Sequence, residues 1–170
     1  MIDFGCGDGN VASQIQKDLG VKVTGYDVRR YVPDGLDVAF EKFDGTNIYV
    51  KDGCFMSGIM IGVTRSESET AVILRELSRV IKDGGRLVVI DTIPESKQEV
   101  SHELCFINDY VQNRLLYNVD LPAPGFYQSG REWLNQAKKV NFKMLSSVPG
   151  RHFLPTSSNK YAIFVFKRVP

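Results

Sequence analysis

An α/β fold built on a parallel sheet follows from three features of the sequence. The chain opens on an apolar strand end, Ile2-Asp3-Phe4, that runs through Gly5-Cys6-Gly7-Asp8-Gly9-Asn10 into a helical pattern. Strand-like segments then alternate with amphipathic ones in the order β-α-β-β-β-α-β. Cys54 to Val63 and Arg86 to Ile90 are apolar with little alternation, as strands buried on both faces must be.

Each element has its own signal. After the glycine corner, Val11, Ala12, Ile15 and Leu19 fall on one helical face, and Gly20 is a natural stop. Val21 to Tyr26 alternates as a strand ending at Asp27, and Pro33–Gly35 marks a turn. Leu36 to Phe40 reads as a short strand, followed by the loop Phe43-Asp44-Gly45-Thr46. Ser66 and Glu69 have capping-box spacing for a helix whose face is Val72, Ile73, Leu77, Val80 and Ile81, ending at Asp83-Gly84-Gly85.

The second half has a different character. Lys97 to Asn118 places Leu104, Ile107, Val111 and Leu115 on one helical face, and Pro122 and Pro124 force a loop after it. Ser129 and Glu132 repeat the capping-box spacing for a helix to about Val140. Phe142 to Val148 and Tyr161 to Lys167 read as two strands joined by a loop that holds Pro149, Gly150 and Pro155.

Composition narrows the class. The chain has 170 residues, 43% hydrophobic and 24% charged, enough for one domain, 1–170, with a real core. A formal net charge of +1 gives no global field for nucleic acid. The 3 cysteines, Cys6, Cys54 and Cys105, form no metal-ligand spacing, so free thiols, no metal and a reducing, cytoplasmic setting are expected. No apolar run is long enough to cross a membrane.

The glycine corner invites a ligand, because its backbone can be approached closely and the next helix begins with free N–H groups. Asp3, two residues before Gly5, puts a carboxylate where a nicotinamide site would keep an apolar residue, which suits a ligand with a cationic part. Asp27 is spaced to accept both ribose hydroxyls, and Asp44, beside Phe43, could take an adenine amine.

In these residues the sequence resembles the class I S-adenosylmethionine-dependent methyltransferases. Ile2 to Gly9 is similar to their first motif, Val23 to Asp27 to their ribose-binding strand, and Phe43-Asp44-Gly45 to their adenine segment. Leu74 to Leu87, containing Glu76-Leu77-Ser78-Arg79-Val80-Ile81-Lys82-Asp83-Gly84-Gly85, resembles the helix and turn before their fifth strand, and Tyr161 to Phe166 their last strand. The resemblance implies a Rossmann-like, seven-stranded, mostly parallel sheet with an antiparallel last strand and helices on both faces. It implies S-adenosyl-L-methionine as cofactor, with Asp3, Gly5, Cys6, Gly7, Gly9, Asn10, Asp27, Val28, Asp44 and Gly45 as its site and 95–128 as a helical substrate lid.

Two departures stand out. Phe55 is followed by Met56 where the family has aspartate, so pocket chemistry or strand capping is expected to differ there. Only Met1 and Ile2 precede Asp3, where the family has a preceding helix. Either a natural minimal form or a start cut from a longer chain or polyprotein is expected, with the N-terminal helix missing from this sequence and the glycine turn less well covered.

The acceptor is less legible. The Asn/Asp-Pro-Pro turn of base amino-methylation, the Pro-Cys of cytosine carbon methylation and the lysine–carboxylate tetrad of ribose methylation are not found. His102, Tyr110 and His152 are the candidate catalytic residues, a histidine near neutral pKa being a suitable base. The leading expectation is methyl transfer to a small planar or polar acceptor. One alternative is an RNA base or cap guanine methyltransferase, as a viral polyprotein domain, with Arg29, Arg30, Lys138, Lys139, Lys143 and Arg151 as a basic rim. Another is a methyltransferase-like binding module without catalysis.

Overall fold

The computed structural model describes residues 1–64, 66–94, 103, 105–107, 110, 126–151 and 160–170. Its strands are β1 (Ile2–Phe4), β2 (Thr24–Asp27), β3 (Ala39–Lys42), β4 (Phe55–Ile61), β5 (Ile81–Ile93), β6 (Phe142–Arg151) and β7 (Lys160–Arg168). Its helices are α1 (Asn10–Leu19), α2 (Glu67–Val80) and α3 (Gly130–Lys139). One 7-stranded sheet runs in the order β3-β2-β1-β4-β5-β7-β6. β1 to β5 are parallel, and β7 is antiparallel to both β5 and β6, as the resemblance implied.

Sequence order reverses between β1 and β4: β1 crosses to β2 on one side and β4 to β5 on the other. Right-handed crossovers therefore put α1 and α2 on opposite faces, so helices lie on both. The α2 face holds the core. Phe4, Met60, Val89 and Phe164 form one row across four strands, covered by Leu77 of α2 and by Trp133 and Ala137 of α3. Among the described residues seven buried aromatic side chains belong to this core, and Phe4 and Phe43 meet edge to face at 5.0 Å.

Both helix starts follow their capping residues. Ser66 Oγ accepts from Glu69 N at 3.1 Å. Ser129 forms the reciprocal box, its Oγ accepting from Glu132 N while Glu132 Oε2 accepts from Ser129 N at 2.7 Å.

Several boundaries move. Val11, Leu19 and Val72 are exposed, not on buried faces; Ala12, on the expected face, and Ser13 carry α1's contact. β2 begins at Thr24 and β3 runs Ala39–Lys42, later than the alternation suggests. α2 ends at Val80, and the glycine turn falls within β5 because Ile81 already pairs with Phe55. Pro149 and Gly150 belong to β6, an edge strand, where proline is tolerated because one side of the strand has no ladder to lose. Of the proposed lid, 95–128, Glu103, Cys105, Phe106, Ile107 and Tyr110 are helical and 126–128 form an irregular lead-in to α3; the rest lies outside the described residues.

Candidate functional site

The C-terminal ends of β1 and β4, where the crossovers diverge, are where a doubly wound sheet opens a crevice. The glycine corner sits there. Gly5 N and Cys6 N both donate to Tyr26 O, at 2.7 and 3.1 Å, closing the turn onto β2. Gly9 caps α1 in the left-handed region (φ 77). A Cβ on Gly5 would collide with Val63 Cγ2, and its φ of 75 is left-handed as well, so Gly5 is glycine for both packing and backbone. Gly7 (φ 54) has nothing within 4 Å of that position; its backbone is the open one.

Two carboxylates converge beneath this turn. Asp27 Oδ2 accepts from Gly7 N at 2.9 Å and Oδ1 from Arg29 N at 3.3 Å, leaving each oxygen a lone pair. Asp3 is 3% exposed and its Oδ2 has no hydrogen-bond partner among the described residues. Burial first, and the nearby Asp27 second, push the Asp3 carboxyl up to about 7. Burial likewise pushes the Cys6 thiol up to about 12, so it stays neutral behind the turn. A buried carboxylate without a donor is costly unless a cation completes it. The corner therefore fits a cationic group at Asp3 and a diol at Asp27.

Asp44 is present but engaged. Its Oδ1 accepts from Thr46 N, Thr46 Oγ1 and Asn47 N, and its Oδ2 from Asn47 Nδ2, all within 3.0 Å. These bonds hold its carboxyl far below the usual range. Only Oδ2 keeps a free lone pair. Phe43 beside it faces the core, edge-on to Phe4 and Tyr26, and offers no surface for a ring. Val28, 44% exposed, stands beside Gly45, so the loops after β2 and β3 touch. Asn10 is exposed, its Nδ2 donating to Asp8.

Of the three catalytic candidates, only Tyr110 is among the described residues. His102 and His152 lie outside the described residues, and Tyr110 is 50% exposed, stacked on Phe106. Met56 is exposed near the start of β4, at the opposite end of that strand from the crevice. Of the two expectations at this position, altered pocket chemistry therefore does not apply, whereas a change at the start of the strand remains open. The basic residues do not form one rim either. Arg29 and Arg30 follow the C-terminal end of β2, whereas Lys138, Lys139 and Lys143 lie at the other end of the strands, beside β6. Arg151 closes β6, separated from β2 by β1, β4, β5 and β7.

Sequence reasoning missed the residues that anchor the Asp44 loop. Arg79 donates to Ile48 O (2.7 Å), Val50 O (2.8 Å), Asp52 Oδ1 (2.6 Å) and both oxygens of Glu76. Glu76 Oε1 in turn accepts from Ile48 N at 2.7 Å. All these partners hold segment 48–52 to α2. The i,i+3 spacing of Glu76 and Arg79 was the available signal. Thr64 was missed too: it follows β4, is 2% exposed, and its Oγ1 has no partner among the described residues. Among the described residues no group of three or more His, Cys, Asp or Glu could hold a metal, and no helix is long and apolar enough to cross a membrane.

A family model described as a methyltransferase domain matches residues 1–147. The chain is 29% identical over 131 residues to 2-methyl-6-phytyl-1,4-hydroquinone methyltransferase of Synechocystis sp., covering 72% of this chain and 41% of that protein. It is 29% identical over 102 residues to the ubiquinone/menaquinone biosynthesis C-methyltransferase of Bdellovibrio bacteriovorus, covering 54% and 43%. The chain thus spans about two fifths of the length of these curated relatives. An S-adenosylmethionine-dependent methyltransferase of Methanosarcina mazei superposes with TM-score 0.72 at 15% identity, covering 99% of this chain and 91% of that one. Geranyl diphosphate C-methyltransferase of Streptomyces coelicolor, solved with S-adenosyl-L-homocysteine, gives 0.72 at 15%, covering 99% and 70%. At these identities the structural likeness concerns the fold.

Proposed function

The chain belongs to the methyltransferase-domain family, and from that premise we propose that it moves the methyl group of S-adenosylmethionine onto a small aromatic acceptor of the hydroquinone type. One observation carries the cofactor half of this reading. The unpartnered carboxylate of Asp3 stands near Asp27, which holds the open backbone of Gly7, at the divergence of β1 and β4.

In this reading Asp3 takes the ammonium of the cofactor's amino-acid end. Asp27 accepts the ribose hydroxyls with the lone pairs that Gly7 N and Arg29 N leave free. Asp44 offers Oδ2 to the adenine amine, while Oδ1 stays committed to its own loop. Gly5, Cys6, Gly9, Asn10, Val28 and Gly45 shape and support the corner. The bound cofactor supplies a methyl group already activated on a sulfonium. The protein then has to align the acceptor and keep water out, which is catalysis by positioning.

The acceptor class rests on the names of the curated relatives, a hydroquinone methyltransferase and a C-methyltransferase of ubiquinone and menaquinone biosynthesis. A hydroquinone carbon is a better nucleophile once its phenol gives up a proton, so the reading calls for one base. The chain has 2 histidines, His102 and His152, and either suits that role; Tyr110 is the third candidate. The scattered basic residues give an RNA acceptor no corresponding support.

The test is methyl transfer from tritiated S-adenosylmethionine into alkylated hydroquinones and, in parallel, into RNA. Label extracted with the organic phase is expected. Label in acid-precipitable RNA, or none in either from folded protein, would overturn the reading.

A further inference from the structure

We propose that Asp3 and Asp27 share one proton before the cofactor binds, that Asp3 carries it, and that the cofactor's ammonium displaces it to solvent. Loading of the cofactor is then coupled to release of a proton and weakens in acid. The inference rests on the cofactor reading and adds to it a regulation of the same site.

The strand register brings the two carboxyls together. Asp3 of β1 pairs with Gly25 of β2, and Asp27 follows two residues further along β2, where side chains return to the same face. Both are buried, at 3% and 9% exposure. Two carboxyls sharing a buried site do not ionise independently, because each charge disfavours the other. Hydrogen bonds then decide which one keeps the proton. Asp27 accepts from Gly7 N and Arg29 N, bonds of the kind that favour the carboxylate. Asp3 Oδ2 has no partner among the described residues, so nothing on the chain compensates a charge there.

The neighbouring elements supply no cation. On its other side Asp3 pairs with Ile59 of β4, and α1 buries only Ala12 and Ser13. Cys6 of the glycine turn is a neutral thiol, while Asp8, Arg29 and Arg30 are exposed. No ion pair involves Asp3 among the described residues. In agreement with this setting, burial first and Asp27 second raise the Asp3 carboxyl to about 7. An arriving ammonium reverses the balance, since it gives the carboxylate the partner that the chain withholds. Because the ionised form is the one that binds, the observed affinity should fall about tenfold for each pH unit below that value.

The test is calorimetric titration with S-adenosylhomocysteine at pH 6 and pH 8, each in two buffers of different ionisation enthalpy, which counts the protons released. The proposal expects about one proton released per bound molecule at pH 6, almost none at pH 8, and affinity about tenfold weaker at pH 6. Carboxyl 13C NMR of the chain without ligand gives a readout that needs no binding. One aspartate signal should titrate near neutrality and be missing from Asp3→Asn, whose circular dichroism remains native. Equal affinity at both pH values without proton release overturns the proposal and leaves the cofactor reading intact. A neutral-titrating carboxyl that persists in Asp3→Asn, or none in the wild type, also overturns it. Absence of binding at both pH values overturns the cofactor reading, and this proposal with it.

Discussion

The amide of Gly7 donates to the Oδ2 of Asp27 at 2.9 Å, tying the open turn after β1 to the end of β2. The bond makes the two candidate cofactor contacts a single unit. A change at either residue therefore moves both.

Gly5 and Gly7 look alike in the sequence but answer to different constraints. Gly5→Ala drives a methyl into Val63 on top of the backbone penalty of φ 75, and is expected to lower stability by roughly 2–4 kcal/mol. Val63→Ala should recover part of that loss. Gly7→Ala meets open space and bears mainly the backbone penalty of φ 54, about 1 kcal/mol, yet should weaken S-adenosylhomocysteine binding at least tenfold. Urea unfolding and calorimetry on both variants check the contrast; equal behaviour of the two would contradict it.

Asp3 predicts an unusual pH dependence. Its carboxyl sits at about 7 when folded, raised by burial and by Asp27. Between about pH 4 and 7 the folded chain thus binds a proton that the unfolded chain has lost, so this residue's contribution to stability falls as pH rises through that window. Asp3→Asn is expected to raise Tm at pH 8, by roughly 1–3 kcal/mol of stability, and to flatten the profile between pH 4 and 7. It should also weaken the cofactor analogue. An Asp3→Asn chain less stable than wild type at pH 8 would contradict the assignment.

The Glu76–Arg79 pair anchors the segment that follows Asp44. Arg79→Met is expected to reduce stability by about 1–3 kcal/mol, since Ile48 O and Val50 O lose their donor and Glu76 its partner. Arg79→Lys should restore only part, because lysine lacks the planar fork that reaches several acceptors. A Glu76→Gln/Arg79→Met cycle measured by urea unfolding should show coupling; strict additivity would mean that the pair acts as two separate residues.

These residues also show what the sequence made legible. The glycine corner, the capped starts of α2 and α3 and the buried central strands could be read directly, because each rests on local chemistry or on a simple period. Edge elements could not. β3 and β6 face solvent, so their ends follow hydrogen-bond ladders with β2 and β7 that leave little hydrophobic trace. Asp27 and Asp3 were legible by spacing from the corner, but the engagement of Asp44 by Thr46 and Asn47 is a three-dimensional fact, although Asp-x-Thr-Asn is a sequence prone to such turns. Arg79 reaches residues some 30 positions away, which no local pattern reports.

Calorimetric titration of the folded chain with S-adenosylhomocysteine, beside Asp27→Ala, tests the central claim most directly. The account predicts saturable binding by the wild type and a loss of at least a hundredfold in the variant, whose circular dichroism remains native. Absence of binding by the folded wild type, or binding indifferent to Asp27→Ala, would contradict it.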